Sequence, residues 1–329
     1  MSKTKSRPVF RPTALADRVV IVTGGGRGIG KGTALHLASL GAAVIVAEVR
    51  EKLAKTFKAD ANKVSTRHPI VYVRADVTRA ADLKRVVAKA KTTWGRIDGL
   101  VNNAMIPASG SIEMQTAAGM DRAWATNTRS AWQLVKLALP LMRERGGSVV
   151  NISSIMARQT TWPAAAYNST KAALEGLTQA LGVELASQEI RVNAVAPGHI
   201  ETHALEPKRM EGVPAAVLDE YVEMVHRTRE MMRRSRQPLA TLGVPAHIAD
   251  AVAFLLSDAS AYMTGSVMYV DGGASCYMTG GNLRRAEEYM AIRQRVAELC
   301  AAHPALKTHR QMKLFVDMPQ RRGKRSARR

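Results

Sequence analysis

The chain is short of cysteine and of acid, and it has no long apolar run. Its 329 residues include only Cys276 and Cys300 as cysteines, so no disulfide framework and no oxidising compartment are indicated. No stretch approaches the roughly 20 apolar residues that a membrane-crossing helix needs. The opening segment, MSKTKSRPVFRPTALADR, is basic and lacks the apolar core of a secretory signal. A cytoplasmic location is therefore the expectation. Zinc-finger spacing, an aromatic RNA platform and a basic heptad repeat are all missing, which argues against a dedicated nucleic-acid binder. No metal site is expected.

Against 27 Asp/Glu stand 48 Lys/Arg, a net charge of +21. The surplus is uneven. Residues 276–329 carry 13 Lys/Arg against 4 Asp/Glu, and residues 1–12 add Lys3, Lys5, Arg7 and Arg11 with no acid. Solvated basic tails are the plain reading. Attraction to a polyanion is the sharper one: nucleic acid, anionic membrane, or an anionic substrate such as an acyl thioester of CoA. Hydrophobic residues at 46% and charged residues at 23% are enough for a sizeable core.

What is present from residue 17 to 275 is an alternation. Short β-branched runs occur at Arg18–Thr23, Ala43–Ala47, Ile70–Arg74, Gly99–Val101, Ser148–Ile152, Arg191–Ala196 and Val267–Val270, with helical periodicity between them. Strands alternating with helices imply right-handed crossovers and a doubly wound parallel sheet. Continuous apolar runs such as VVIV fit strands buried on both faces. The expected organisation is a basic arm (1–16), a single domain (17–275) and a basic extension (276–329).

Two segments depart from the alternation. Residues 203–243 carry Pro207, Pro214 and Pro238, scattered methionines and an arginine cluster, and read as a helical insertion over a ligand site. After Gly273, Asn282 is placed to cap a helix running to Ala302 and ended by Pro304. Its apolar stripe is expected at Leu283, Ala286, Met290, Ala297 and Cys300, with Tyr289, Val296 and Leu299 beside it.

The first strand runs straight into Thr23-Gly24-Gly25-Gly26-Arg27-Gly28-Ile29-Gly30 and then a helix. Glycines here let the backbone approach a pyrophosphate and aim free helix N–H groups at it. The second strand ends near Glu48, where a carboxylate accepts from adenosine ribose hydroxyls and repels a 2′-phosphate, favouring NAD. Arg27 and Arg50 pull toward NADP, because a guanidinium binds that phosphate.

At this point the chain closely resembles the short-chain dehydrogenase/reductase family. The resemblance is carried by TGGGRGIG at 23–30, Asp76-Val77, Asn102-Asn103-Ala104, Asn127, Ser153-Ser154, Tyr167-Asn168-Ser169-Thr170-Lys171, Pro197-Gly198-His199-Ile200-Glu201-Thr202 and Val270-Asp271-Gly272-Gly273. It implies a Rossmann-like α/β sheet of about seven strands with helices on both faces. It implies that Gly24, Gly28 and Gly30 meet the cofactor phosphates, with Arg27 and Ile29 also among the cofactor-binding residues, and that Asp76 and Val77 meet the adenine. Asn103 and Ala104 would line the cleft, and Pro197, Gly198, Ile200 and Thr202 the nicotinamide. Ser154, Tyr167 and Lys171 match the catalytic trio and Asn127 its fourth member. Ser154 is chosen over Ser153 because it lies 13 residues before the tyrosine, as in the family. Lys171 would also bind the nicotinamide ribose, and Asn127 would hold a water in a proton relay.

The chemistry agrees with that assignment. Tyr167 and Lys171 are i and i+4 on one helix face. An ammonium beside a phenol lowers its pKa from about 10. Tyr167 would then exchange a proton with a secondary alcohol or ketone, while Ser154 donates to the developing alkoxide.

One departure stands out: where the family has Gly after Asn-Asn-Ala, this chain has Met105, Ile106 and Pro107. The substrate wall is expected from those residues, Trp162 and the 199–240 stretch. Tyr221, Met210, Met224, Met231 and Met232 would form an adaptable apolar lining. The resemblance further implies a homodimer or homotetramer through helices near 120–145 and 165–186. The rival readings are a cofactor-binding regulatory protein without turnover and a polyanion-binding protein acting through the tails.

Overall fold

The structure, a computed structural model, describes residues 10–108, 110–161, 163–202, 213–239, 241–276, 283–304 and 306; for residues 225, 228–236, 283–290 and 293 it describes the main chain only. They fall in two compact units, one of residues 1–203 with 239–276 and one of 204–238 with 277–329.

The first unit is the expected sheet. Its strands are β1 (Val19–Thr23), β2 (Ala43–Glu48), β3 (Val71–Arg74), β4 (Gly99–Asn102), β5 (Gly147–Ile152), β6 (Ile190–Pro197) and β7 (Val267–Val270). All pair in parallel, in the order β3-β2-β1-β4-β5-β6-β7. Each strand end lies within one residue of the expected position. The reason is burial: every residue of β1, β2 and β4 is buried, so a β-branched run marks the strand directly.

Helices cover both faces. On one face α1 (Gly28–Ser39), α2 (Leu53–Ala61) and α8 (Pro245–Leu256) contribute Leu37, Phe57 and Val252 to a core shared with Val20, Val44 and Val150. On the other, α3 (Ala80–Trp94), α5 (Ser130–Met142) and α6 (Ala165–Glu184) bring Leu83, Leu134 and Leu181 onto Ile21, Ile45 and Val149. Helix α4 (Ala117–Trp124) enters α5 through a π-helical turn, Ala125–Arg129. The strand order reverses beside β1, whose partners are β2 and β4, and the carboxyl ends of these three strands open the crevice where α/β sheets bind ligands.

The second unit holds α7 (Ala215–Arg236) and α9 (Leu283–Ala302), which share a small core. Tyr221 and Met224 are buried in it with Ile292, Val296 and Leu299, so they serve helix packing; the expected adaptable lining is not what they form. The buried stripe of α9 runs through Ile292, Val296, Leu299 and Cys300, whereas Ala297 is exposed. The correction follows from the 3.6-residue period, which puts 292, 296, 299 and 300 on one face and 297 off it. The Asn282 cap, Met210 and Trp162 lie outside the described residues, as do the side chains of Met231, Met232 and the expected stripe residues Leu283, Ala286, Tyr289 and Met290. Among the described residues no helix is long and apolar enough to cross a membrane.

Candidate active site

The crevice is laced shut at its base. Thr23, the last residue of β1, accepts at Oγ1 from the backbone N–H groups of Asn103 and Ala104, each at 3.1 Å. Asn103 Nδ2 donates back to the carbonyls of Thr23 (2.9 Å) and Gly24 (3.1 Å). That contact dictates glycine at two positions. Gly24 has φ +63°, and a Cβ on it would lie 2.8 Å from Ala104 Cα. A Cβ on Gly30 would lie 2.4 Å from both Asn103 Nδ2 and the Gly24 carbonyl oxygen. Arg27 precedes α1 without making a side-chain cap, and the first turn of α1 holds no acid. Its N-terminal field is thus uncompensated by those means. Gly28 opens the helix opposite Thr202, and Ile29 packs on the core beneath.

Glu48, at the end of β2, is buried with both carboxylate oxygens engaged. Oε2 accepts from Gly26 N at 3.2 Å, while Oε1 accepts from the backbone N and Nε of Arg50, each at 3.1 Å. Beyond it a cleft of about 740 Å³ is lined by Val49, Tyr72, Asp76 and Arg79. Asp76 Oδ1 accepts from the N–H and hydroxyl of Thr78 at 2.9 and 2.7 Å, and Val77 is buried. On the other side of the crevice, Pro197 ends β6 opposite Val270, and Gly198 N donates to the Val270 carbonyl. Ile200 bridges to Gly243, and Thr202 lies against Gly28.

The catalytic candidates converge on the start of α6. The Ser154 side chain lies beside the Tyr167 phenol and acts on its titration. Burial raises the Tyr167 phenol above its ordinary value, and the neighbouring Ser154 hydroxyl offsets part of that rise. Lys171 is fully buried; its Nζ donates to the Ile152 carbonyl at 2.6 Å and lies 5.8 Å from the Tyr167 ring centre. Burial holds its pKa down to about 8. The expected lowering of the phenol by the ammonium is therefore not what this geometry produces: desolvation dominates both groups, and the ammonium points at a carbonyl. Asn127 sits in the π-helical turn, where its Oδ1 accepts from Ile106 N (2.9 Å). Its Nδ2 donates to the Ile106 carbonyl and to Thr170 Oγ1, both at 3.0 Å. Thr170 Oγ1 in turn donates to the Tyr167 carbonyl at 2.7 Å.

A family model described as Enoyl-(Acyl carrier protein) reductase matches residues 24–275. This chain belongs to the short-chain dehydrogenase/reductase family. It is 34% identical over 260 residues to the 3-oxoacyl-(acyl-carrier-protein) reductase FabG of Thermotoga maritima, covering 78% of this chain and 98% of that one. Levodione reductase of Leifsonia aquatica is 33% identical over 265 residues, 79% of this chain and 95% of the relative. The crystal structure of levodione reductase superposes with a TM-score of 0.70 at 32% identity, over 80% of this chain and 99% of that one. That of 7α-hydroxysteroid dehydrogenase, complexed with NADH and 7-oxo glycochenodeoxycholic acid, gives 0.68 at 29%, over 80% and 98%. An oxidoreductase on a Rossmann-like fold is thereby established.

Within that family frame, several site residues carry no sequence expectation of their own. Thr23 is one: it opens the glycine motif, yet its hydroxyl is what ties β1 to β4. Thr170 and Thr128 are others, the latter donating to the Thr170 carbonyl at 2.9 Å. Glu175 and Arg158, paired at 3.2 Å, flank the Ser154 loop. The legible signal for Glu175 is its place eight residues after Tyr167 on the same helix face, where a buried acid needs a partner.

Proposed function

We propose that this oxidoreductase moves hydride between NAD(P) and a secondary alcohol or ketone, with Tyr167 as general acid/base. The observation that carries the reading is the Ser154 hydroxyl beside the Tyr167 phenol, one helical turn from the buried Lys171.

The crevice fits a dinucleotide. Positions 24 and 30 admit no Cβ, and the uncapped start of α1 supplies N–H donors of the kind that bind pyrophosphate. Gly24, Arg27, Gly28, Ile29 and Gly30 would hold the phosphates, and Asp76 and Val77 the adenine. Asn103, Ala104, Pro197, Gly198, Ile200 and Thr202 would hold the nicotinamide half. When bound, the cofactor accepts or supplies the hydride.

The protein's own part is the proton. Tyr167 takes it from the alcohol, or gives it to the ketone, at its phenolic oxygen. Ser154 donates a hydrogen bond to the same substrate oxygen as charge develops there. Lys171 orients the nicotinamide ribose. Its low pKa lets it pass a proton near neutral pH, and a second partner would draw the ammonium from the Ile152 carbonyl. Asn127 acts by fixing the Ile106 segment and, through Thr170, the first turn of α6; the water relay remains part of the proposal at its unpaired Oδ1 lone pair.

NAD is the preferred cofactor, with NADP the alternative. Glu48 keeps one acceptor site, on Oε2, for a ribose hydroxyl even with both oxygens engaged, and its charge opposes a 2′-phosphate. The substrate class is a bulky hydrophobic ketone or alcohol, in keeping with the levodione and 7-oxo steroid of the relatives' names. A cytoplasmic homodimer or homotetramer completes the reading. Trp132 on α5 and Val183 on α6 are exposed in the single chain, at 43% and 81%, on the helices expected to pair.

The test is a panel of secondary alcohols and ketones assayed with NAD and NADP in parallel. Tyr167→Phe is expected to lower turnover by about 1,000-fold while leaving the Kd for NADH within a factor of about two. Retained turnover sinks the proton-transfer role, and turnover with NADP alone sinks the reading of Glu48.

A further inference from the structure

The loop that carries Ser154 is held at both ends by one carboxylate. Just before it, Ser153 Oγ donates to Glu175 Oε1 at 3.1 Å and lies 3.4 Å from the Lys171 carbonyl. Ser153 N also donates to the Val195 carbonyl at 2.7 Å. Just after the short helical turn Ile155–Ala157, Arg158 Nε donates to Glu175 Oε2 at 3.2 Å. The Arg158 guanidinium also lies 5.8 Å over the Tyr269 ring. Glu175 itself belongs to α6, one turn beyond Lys171 and two beyond Tyr167. The Glu175 side chain is 7% exposed and that of Arg158 60%.

We propose that Glu175 is a positioning residue for catalysis: its carboxylate clamps both ends of the Ser154 loop onto the helix that carries Tyr167 and Lys171. The inference rests on the proton-transfer reading of Ser154 and Tyr167. A buried carboxylate is an expensive way to fill space, since an apolar side chain at 175 would avoid desolvating a charge. What it supplies instead is direction. Two oxygens with divergent lone pairs fix two chain positions five residues apart, and Ser154 lies between them. The Ser154 hydroxyl has no comparable anchor of its own: it accepts from Met156 N at 3.2 Å, a contact inside the same loop. The clamp thus ties its place to the helix that carries Tyr167.

Glu175→Ala is expected to lower kcat by about 10- to 100-fold, because small displacements of a reacting group cost on that scale. The Kd for NADH should be unchanged, since no residue assigned to the cofactor is released. The same substitution in a Ser154→Ala background should lower kcat by less than about two-fold, because the group it positions is already gone. An equal loss in both backgrounds, or no loss in the Ser154 enzyme, overturns the proposal.

A second readout needs no turnover. The Tyr167 phenol is titrated by NMR with isotope-labelled tyrosine, assigned by its disappearance in Tyr167→Phe. Glu175→Ala should move it in the same direction as Ser154→Ala does, upward, as the lowering influence of the Ser154 hydroxyl is lost. A titration unchanged in the folded variant overturns the clamp. Should Glu175→Ala not fold, Arg158→Met opens the outer end alone, and about a 3- to 10-fold loss of kcat with an upward Tyr167 shift is expected; neither change appearing overturns the proposal. Failure of the wild-type enzyme on every substrate would count against the proposed function, while the titration would still decide the clamp.

Discussion

The β1–β4 crevice and the α7–α9 pair are built on different principles. In the crevice, position is set by hydrogen bonds with defined partners: Thr23 to Asn103 and Ala104, Asn127 to Ile106, Glu48 to Gly26. Glycines there are dictated by approaches that a single methyl group would destroy. The helix pair relies on a small apolar core and on exposed ion pairs such as Arg295–Glu220, at 2.9 Å. Directional contacts tolerate no displacement, whereas apolar ones tolerate substitution at a graded cost. Damage in the first region should therefore reach function and global stability together. Damage in the second should stay local.

The largest expected effect is on Lys171. Its ammonium, ordinarily at 10.5, is held at about 8 in the folded chain. Below pH 8 it is charged whether the chain is folded or not, and burying it costs a constant amount, about 3 kcal/mol. As pH rises from 8 to 10.5 the folded chain sheds the proton first, so stability increases across that window. Lys171→Met removes the group and with it this contribution to the pH dependence. Denaturant titrations at intervals of pH should show its advantage over the wild type shrinking as pH rises; a constant difference would contradict the burial cost.

Next comes Gly30→Ala. A methyl group there meets backbone and Asn103 at 2.4 Å, so either the loop or β4 must move, at about 2–3 kcal/mol. Calorimetry should find both the melting temperature and NADH affinity reduced. In the helix pair, Leu299→Ala should cost about 2 kcal/mol, read as faster hydrogen exchange in α7 and α9 with exchange in β1 and β4 unchanged. Coupled loosening of the sheet would erase the contrast. Smallest is Arg295→Ala, whose partner Glu220 is exposed; its melting temperature should match the wild type, because solvent screens exposed ion pairs.

Much of the first unit was legible in the sequence because burial leaves a mark. The VVIVT of β1 and AVIVAE of β2 face core on both sides, so their composition alone marks them as strands. The glycine spacing was legible because steric exclusion leaves no other residue type. The environment of Tyr167 was not. An i, i+4 pair places Lys171 on the same face, but the direction of its ammonium depends on the Ile152 carbonyl arriving from β5. The π-helical turn at Asn127 was equally hidden, since it answers to a tertiary contact with Ile106. In α9 the helix was legible, and so were Val296, Leu299 and Cys300 on its buried face; Ala297 was misplaced because an alanine fits either side.

Asn127 grips the Ile106 segment by its main chain, through one N–H and one carbonyl. A backbone grip is blind to side-chain identity. Met105 and Pro107 can thus differ from the family's glycine-containing pattern without loosening the segment, and Met105 remains 40% exposed beside the crevice. The segment is a fixed mount with interchangeable facing: if it walls the substrate site as proposed, substitutions at 105 and 107 would reshape that wall while its position holds. New specificities are therefore most readily selected here, where chemistry and variation are kept on separate atoms.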